Sequence, residues 1–273
     1  KKLCEEYMGK HPVISISLKG INAASYEAAF ELTVKTIKGA VQKAGFLKMS
    51  DKLGEDEKKE YRAILDENMS EATLFWSLKN LSELLEKHYE TKVILLIDEY
   101  DVPLAKAFEN GYYDKMVFLI RNLLEQTLKT NNSLKFAVMT GCMRISKESI
   151  FTGLNNLKVL SITDERFDEY FGFTDEDVKE MLRYYDREDH YEEMRNWYDG
   201  YRFGSTDVYC PWDVLNHCDK IKENAAAFPE NYWVHTSSNE AVKKIIQMSG
   251  NITTKREIER LLAGEEIVKE ILQ

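Results

Sequence analysis

The sequence predicts an α/β protein, a parallel sheet flanked by helices, followed by a mostly helical C-terminal arm. Two observations carry the sheet. The first is the run Val93-Ile94-Leu95-Leu96-Ile97-Asp98-Glu99-Tyr100-Asp101, in which five aliphatic residues end abruptly in Asp-Glu. A short unbroken run rich in Val and Ile reads as a strand buried on both faces, the kind that builds parallel α/β sheets. The second is the alternation of strand-like and helix-like segments between Val13 and Ile162. A third observation sets the arm apart. After Thr163, residues Asp164 to Asp199 hold many carboxylates and few strand formers. The chain is therefore divided into a core over 1–165 and an arm over 166–273.

The elements follow in order. Pro12 precedes Val13-Ile14-Ser15-Ile16-Ser17-Leu18, whose apolar and serine positions alternate as in a strand. Gly20 and Asn22 turn the chain. Ser25 then suits the N-cap of a helix running to about Gly45, with Ala29, Leu32, Val34, Ile37 and Val41 as its apolar positions. Lys48 to Lys59 is charged, contains Gly54, and reads as an exposed loop or insertion. Ser70 opens the next helix, and Leu74, Phe75, Leu78, Leu81, Leu84 and Leu85 form a stripe at helical spacing. Trp76 is assigned to the core with that stripe. The run at 93–97 follows, and a helix leading into a strand fits a right-handed crossover.

Asp101 before Val102-Pro103 suits an N-cap with proline just inside the helix. Met116 to Leu128 is again helical, and Asn131-Asn132-Ser133 is a turn. Leu134 to Thr140 reads as a second buried strand, and Leu157 to Ile162 as a third. In the arm, Thr174 with Asp175-Glu176-Asp177 is an N-terminal helix signature. A second helix covers about Tyr191 to Trp197. The motif Trp197-Tyr198-Asp199-Gly200-Tyr201-Arg202-Phe203, with Trp212 beyond, suggests a hairpin-like turn around Asp-Gly, either packed by its rings or presented as a docking surface. Helices over Asn239–Met248 and Thr254–Leu272 close the chain.

The acidic pair is the main chemical signal. In open α/β sheets, ligands sit beyond the carboxyl ends of the strands, where Asp98 and Glu99 fall. Two adjacent carboxylates there are poorly placed for stability, because a buried charge is costly unless it is paired or metal-bound. They are well placed to hold a hydrated Mg²⁺ through Asp98 and to orient a water through Glu99. The plainer reading is a solvated turn in which the acids cap the next helix. Thr140, at the tip of the second strand with Arg144 close behind, lies where a γ-phosphate could be sensed. Alternatively the strand simply turns on Gly141 and Arg144 lies on the surface.

Composition narrows the classes. The 273 residues are 44% hydrophobic and 31% charged, ordinary for a globular protein. A net charge of −10 makes a non-specific nucleic-acid binder a poor match. No run of 18 apolar residues is present, so no membrane span is expected. Cys4, Cys142, Cys210 and Cys218 lack CxxC spacing, which argues against zinc and for reduced thiols in the cytoplasm. His11, His88, His190, His217 and His235 form no HxxxH or HExxH cluster and are assigned surface or capping roles. The chain opens on Lys1-Lys2-Leu3 without Met, and is read as a piece of a longer or processed protein.

Taken together, Leu96-Ile97-Asp98-Glu99-Tyr100-Asp101 with Pro103-Leu104, Met139-Thr140-Gly141, Ser149-Ile150-Phe151, Leu154-Asn155-Asn156-Leu157, Gly172-Phe173-Thr174 and Tyr198-Asp199-Gly200-Tyr201-Arg202-Phe203 resemble the predicted AAA-ATPase-like family. Its full-length members look like a P-loop ATPase domain followed by a PD-(D/E)xK nuclease-like domain. The resemblance implies P-loop NTPase topology and Mg-ATP as cofactor. It implies that Asp98 and Glu99 match the Walker B pair and that Thr140 matches the sensor position. Residues after about 165 match a helical arm. The chain departs from the pattern in two ways. It contains no GxxxxGK[ST], the loop that cradles phosphates, and its last 70 or so residues hold no recognisable Asp…Glu-x-Lys pair.

Two classes of function follow. In the first, the parent protein hydrolyses ATP with Mg²⁺, using Asp98, Glu99, Thr140 and Arg144, and passes a conformational change to the arm. This chain alone is then expected to be inactive. In the second, the chain is a catalytically inert interaction module that self-associates or docks a downstream nuclease-like domain through its aromatic motif. A nuclease-associated role rests on the family alone. Without the strand that precedes a P-loop, Leu134–Thr140 is expected either to pair with the chain's own last strand or to recruit a partner's edge.

Overall fold

The computed structural model describes residues 2–142, 150–151, 154, 157–233 and 260. The chain forms two compact units, Lys1–Leu157 and Lys158–Gln273.

In the first unit, helix α1 (Lys2–Tyr7) leads into strand β1 (Val13–Ser17) and helix α2 (Tyr26–Gln42). Ser25 caps α2 by accepting a hydrogen bond from the Ala28 backbone N–H. Helix α3 (Glu55–Ile64), helix α4 (Glu71–Tyr89) and strand β2 (Val93–Asp98) follow. Helices α5 (Val102–Asn110) and α6 (Tyr113–Leu128) lead to strand β3 (Leu134–Met139). The sheet is parallel with β2 in the middle, in the order β1-β2-β3.

One face of the sheet carries the core. Ile14 pairs with Leu95, and Ile16 with Ile97. These side chains pack with Ile37 and Val41 of α2, Leu74 and Leu78 of α4, and Leu119 and Leu123 of α6. The helices are amphipathic, so one covered face buries their apolar stripes.

Among the described residues the opposite face is covered only in part, with Ile94 buried and the Tyr7 ring of α1 edge-on to Phe136. Leu96 is 38% exposed, and Val13, Phe136 and Val138 of the same face are also exposed. The strands β2 and β3 are thus half-buried rather than buried on both faces. Leu134 to Met139 is an edge strand, and among the described residues no strand pairs with its outer side. Residues 157–162 form no strand, because apolar composition makes a strand only where a neighbour supplies the ladder. Ser161 instead enters a turn, with its N–H and hydroxyl both on Asp164 Oδ2.

Two more expectations are corrected. The segment Lys48 to Lys59 is not simply a loop. It overlaps the end of a 3-10 turn, Gly45–Met49, and holds the start of α3, whose N-cap Gly54 N–H donates to Glu57 Oε2. Tyr61 of α3 is fully buried and donates to the Val41 carbonyl at 3.0 Å. Trp76 is exposed rather than core, with the Lys79 ammonium over its ring. At that position α4 turns outward between the buried Leu74 and Leu78.

The second unit is mostly helical. It contains α7 (Asp175–Tyr184), α8 (Tyr191–Tyr198), a hairpin of β4 (Asp199–Phe203) and β5 (Thr206–Tyr209), and α9 (Pro211–Glu223). Helix α7 starts at its N-cap Thr174 as expected, and Thr174 and Asp177 form a capping box there. The hairpin turns at Gly204-Ser205, not at Asp199-Gly200, and Gly204 has φ +51°. Val178, Leu182, Met194, Tyr198, Tyr209, Val214, Cys218 and Ile221 form its core. Asp175 ties the pieces together, accepting the hydroxyls of Tyr191 at 2.8 Å and Tyr209 at 2.9 Å. The helices expected over 239–248 and 254–272 lie outside the described residues. Among the described residues, no helix is long and apolar enough to cross a membrane.

Candidate functional site

All three strands of the first unit point the same way, so their carboxyl ends share one edge. That edge gathers Ser17 at the end of β1 and Lys19 beyond it, Asp98 and Glu99 at the end of β2, and Thr140 and Gly141 after β3. The backbone stitches the three ends together. The Leu18 N–H donates to the Asp98 carbonyl at 2.9 Å, the Thr140 N–H to the Ile97 carbonyl at 2.9 Å, and the Tyr100 N–H to the Thr140 carbonyl at 3.1 Å.

On this frame the Thr140 hydroxyl donates to Asp98 Oδ1 at 2.5 Å. Ser17 is the register partner of Asp98 on the other side. Asp98 is exposed, and a carboxylate offers about four lone-pair sites, so capacity remains for a hydrated cation. Glu99 stands with φ +53°, a left-handed conformation that costs a non-glycine residue of order 1 kcal/mol. Strained residues of this kind cluster at functional sites. Its carboxylate meets Lys19 Nζ at 3.6 Å. This is a partly exposed pair worth less than about 1 kcal/mol.

Asp101 is 3% exposed and precedes α5, where its carbonyl accepts the N–H groups of Leu104 and Ala105. Tyr100 lies edge-on to Phe151 at 5.4 Å. The field at the edge is negative. Burial pushes the Cys142 thiol up, and the carboxylates of Asp101, Glu99 and Asp98 add to the rise against a smaller opposing effect of Lys19. The donors are hard oxygens, which suit Mg²⁺.

The structure therefore brings Asp98, Glu99 and Thr140 together. Arg144 lies outside the described residues. Lys19 and Gly141 also belong to the edge, although the sequence reading did not single them out as site residues. The signal for Lys19 was its position just past the alternation of β1, opposite in charge to the acidic pair.

Comparison with known proteins follows the same lines. Over 137 residues the chain is 33% identical to the "Uncharacterized protein in vnfD 5'region" of Azotobacter chroococcum mcd 1, a stretch that makes up 45% of this chain and 24% of the relative. The chain thus spans far less than the length of that curated protein. No solved structure is significantly similar to the chain. Residues 2–151, more than half of the sequence and all of the strand edge described above, match the family described as "Predicted AAA-ATPase", and the chain belongs to that family.

Proposed function

We propose that this chain supplies the cation-holding and water-orienting side of a Mg²⁺-dependent ATPase. Residues 1–165 serve as the ATPase-like core and 166–273 as its arm. The observation that carries the reading is the hydrogen bond from Thr140 to Asp98 at the shared carboxyl edge of the parallel strands. Ligands of open α/β sheets occupy that edge.

In this reading Asp98 holds Mg²⁺ through water of its hydration shell, and Thr140 fixes the carboxylate's orientation. Glu99 orients and polarises the attacking water. The Mg²⁺ would neutralise charge on the nucleotide phosphates. The 273 residues contain no GxxxxGK[ST], so the phosphate cradle is not among their recognisable motifs. Hydrolysis would drive a conformational change in the arm.

The test is made in the full-length protein. Glu99→Gln should bind Mg-ATP with nearly unchanged affinity and turn it over about 100-fold more slowly, the range lost with a positioned general base. Unchanged turnover would remove Glu99 from the chemistry. Asp98→Asn should weaken Mg-ATP binding in calorimetric titration.

A second reading is an inert interaction module, favoured by the exposure of Trp197, Tyr201 and Trp212 in the second unit. It requires self-association or a docked nuclease-like domain through that surface. Sedimentation of Tyr201→Ala against the wild-type protein tests the former, and indifference to the change counts against it.

A further inference from the structure

The second unit holds three side chains that the ATPase reading does not use. His190 ends the short 3-10 turn Glu188–His190, Glu193 lies in the first turn of α8, and His217 lies on α9. The i, i+3 spacing places His190 and Glu193 on one face. His190 Nδ1 is 2.8 Å from Glu193 Oε2. His217 Nε2 approaches the same oxygen at 3.6 Å, too far for a hydrogen bond. The donor atoms of the three residues all lie within 4.8 Å of one another.

His217 is the odd member. It is fully buried, with 0% exposure, and neither ring nitrogen has a hydrogen-bond partner among the described residues. Nε2 of His190, itself 9% exposed, is in the same condition. A buried polar group without a partner costs free energy that an apolar side chain of similar size would not. The position lies between the buried Val214 and Ile221 of α9 and beside Tyr198, whose ring is 5.6 Å away, so an apolar residue would fit it. Both histidines were expected at the surface or at caps, and both are buried. The neutral imidazole nitrogen is also the commonest protein ligand for transition metals.

We propose that His190, Glu193 and His217 form a binding site for one divalent transition-metal ion of the Zn²⁺ class. Tetrahedral zinc has bonds of about 2.0–2.1 Å, which places its ligands roughly 3.3–3.5 Å apart. The observed separations of 2.8 and 3.6 Å lie on either side of that value, and no pair exceeds 4.8 Å. Two imidazoles and one carboxylate make a borderline donor set that favours Zn²⁺ or Co²⁺ over Mg²⁺ and leaves a fourth position open. The ion would clamp the start of α8 to α9. Both helices feed the same small core, and metals reinforce cores of limited size. This site is separate in sequence and chemistry from the all-oxygen edge at Asp98.

The experiment titrates the metal-stripped full chain with Co²⁺, followed optically, and then with Zn²⁺. One equivalent of Co²⁺ should produce the visible absorption of a tetrahedral site, and Zn²⁺ should displace it while Mg²⁺ does not. The melting temperature should rise with Zn²⁺. Glu193→Gln is nearly isosteric and partly exposed, so it should keep the fold by circular dichroism and bind at least 10-fold more weakly. His190→Ala is the second variant, since His217→Ala also opens the core. No Co²⁺ band and no Zn²⁺-dependent shift in the wild-type chain would overturn the proposal and leave a hydrogen-bonded core cluster. Wild-type affinity in both Glu193→Gln and His190→Ala would also overturn it, by placing the metal elsewhere.

Discussion

Replacing Gly141 by Ala should disturb the strand edge out of proportion to one methyl group. A Cβ built on Gly141 would lie 2.7 Å from Asp101 Oδ1, 2.8 Å from Tyr100 Cε1 and 3.0 Å from Asp101 Cγ. Neither neighbour is free to yield. Asp101 is buried at the entry to α5, and the Tyr100 ring is packed against Phe151. The clash is therefore relieved by shifting the chain after Thr140 or the turn at Tyr100-Asp101. Overpacking of this kind costs about 1–3 kcal/mol. For a unit of this size each kcal/mol lowers the melting temperature by about 2–4 °C. Thermal unfolding followed by circular dichroism would measure it, with Gly39→Ala as a control, since nothing lies within 4 Å of that added methyl. A Gly141→Ala protein melting within about 1 °C of wild type would refute the argument. It would mean that the Tyr100-Asp101 turn adjusts without resistance, and that the edge is not held rigidly by its packing.

Two further predictions rest on single contacts. Tyr61→Phe removes the hydroxyl that joins α3 to the end of α2 through the Val41 carbonyl, and should cost about 0.5–1.5 kcal/mol in urea unfolding; an unchanged midpoint would show that the carbonyl finds another donor. Burial raises the Asp175 pKa, but hydrogen bonds from Lys179, Tyr191 and Tyr209 outweigh it, so the carboxyl titrates below its ordinary range. A depressed carboxyl contributes stability that is full above its unfolded pKa of about 3.9 and is lost as pH falls through the folded value. The second unit should therefore weaken below about pH 4, and Asp175→Asn should flatten that acid limb relative to wild type; identical limbs in both proteins would refute the assignment.

What could be read from the sequence was mostly local chemistry. Ser25, Ser70 and Thr174 were recognisable as N-caps because a short polar side chain that accepts from the third helical N–H acts within one turn, and all three do so. Strand β2 was recognisable from its aliphatic run. What could not be read was set by neighbours distant in sequence. Helix α3 offers only Tyr61 and Ile64 as buried positions, too few to show a period. Residues 157–162 have strand composition but no described partner. Trp76 lies on a helix whose stripe was correctly placed, yet a single large side chain can face solvent over its own helix. His217 carries no local mark of burial, because the core around it is assembled from α7, α8, α9 and β5.

The strand edge shows the same division most sharply. Asp98, Glu99 and Thr140 were found as residues, but their meeting depends on register. Between the pairs Val93–Leu134 and Ile94–Phe136 strand β3 advances by one extra residue, Lys135. Had the pairing run straight from Val93–Leu134, Ile97 would face Val138 and Thr140 would stand beside Glu99. The irregularity moves β3 by one position, so Ile97 faces Met139 and Thr140 falls beside Asp98. A shift of one residue turns a side chain to the other face of a sheet. The bulge thus decides which carboxylate the Thr140 hydroxyl reaches. It leaves Glu99 beyond the ladder, held in its left-handed conformation with Lys19 as its countercharge. A single extra residue in β3, the exposed Lys135, thereby sets which of the two adjacent acids meets the Thr140 hydroxyl.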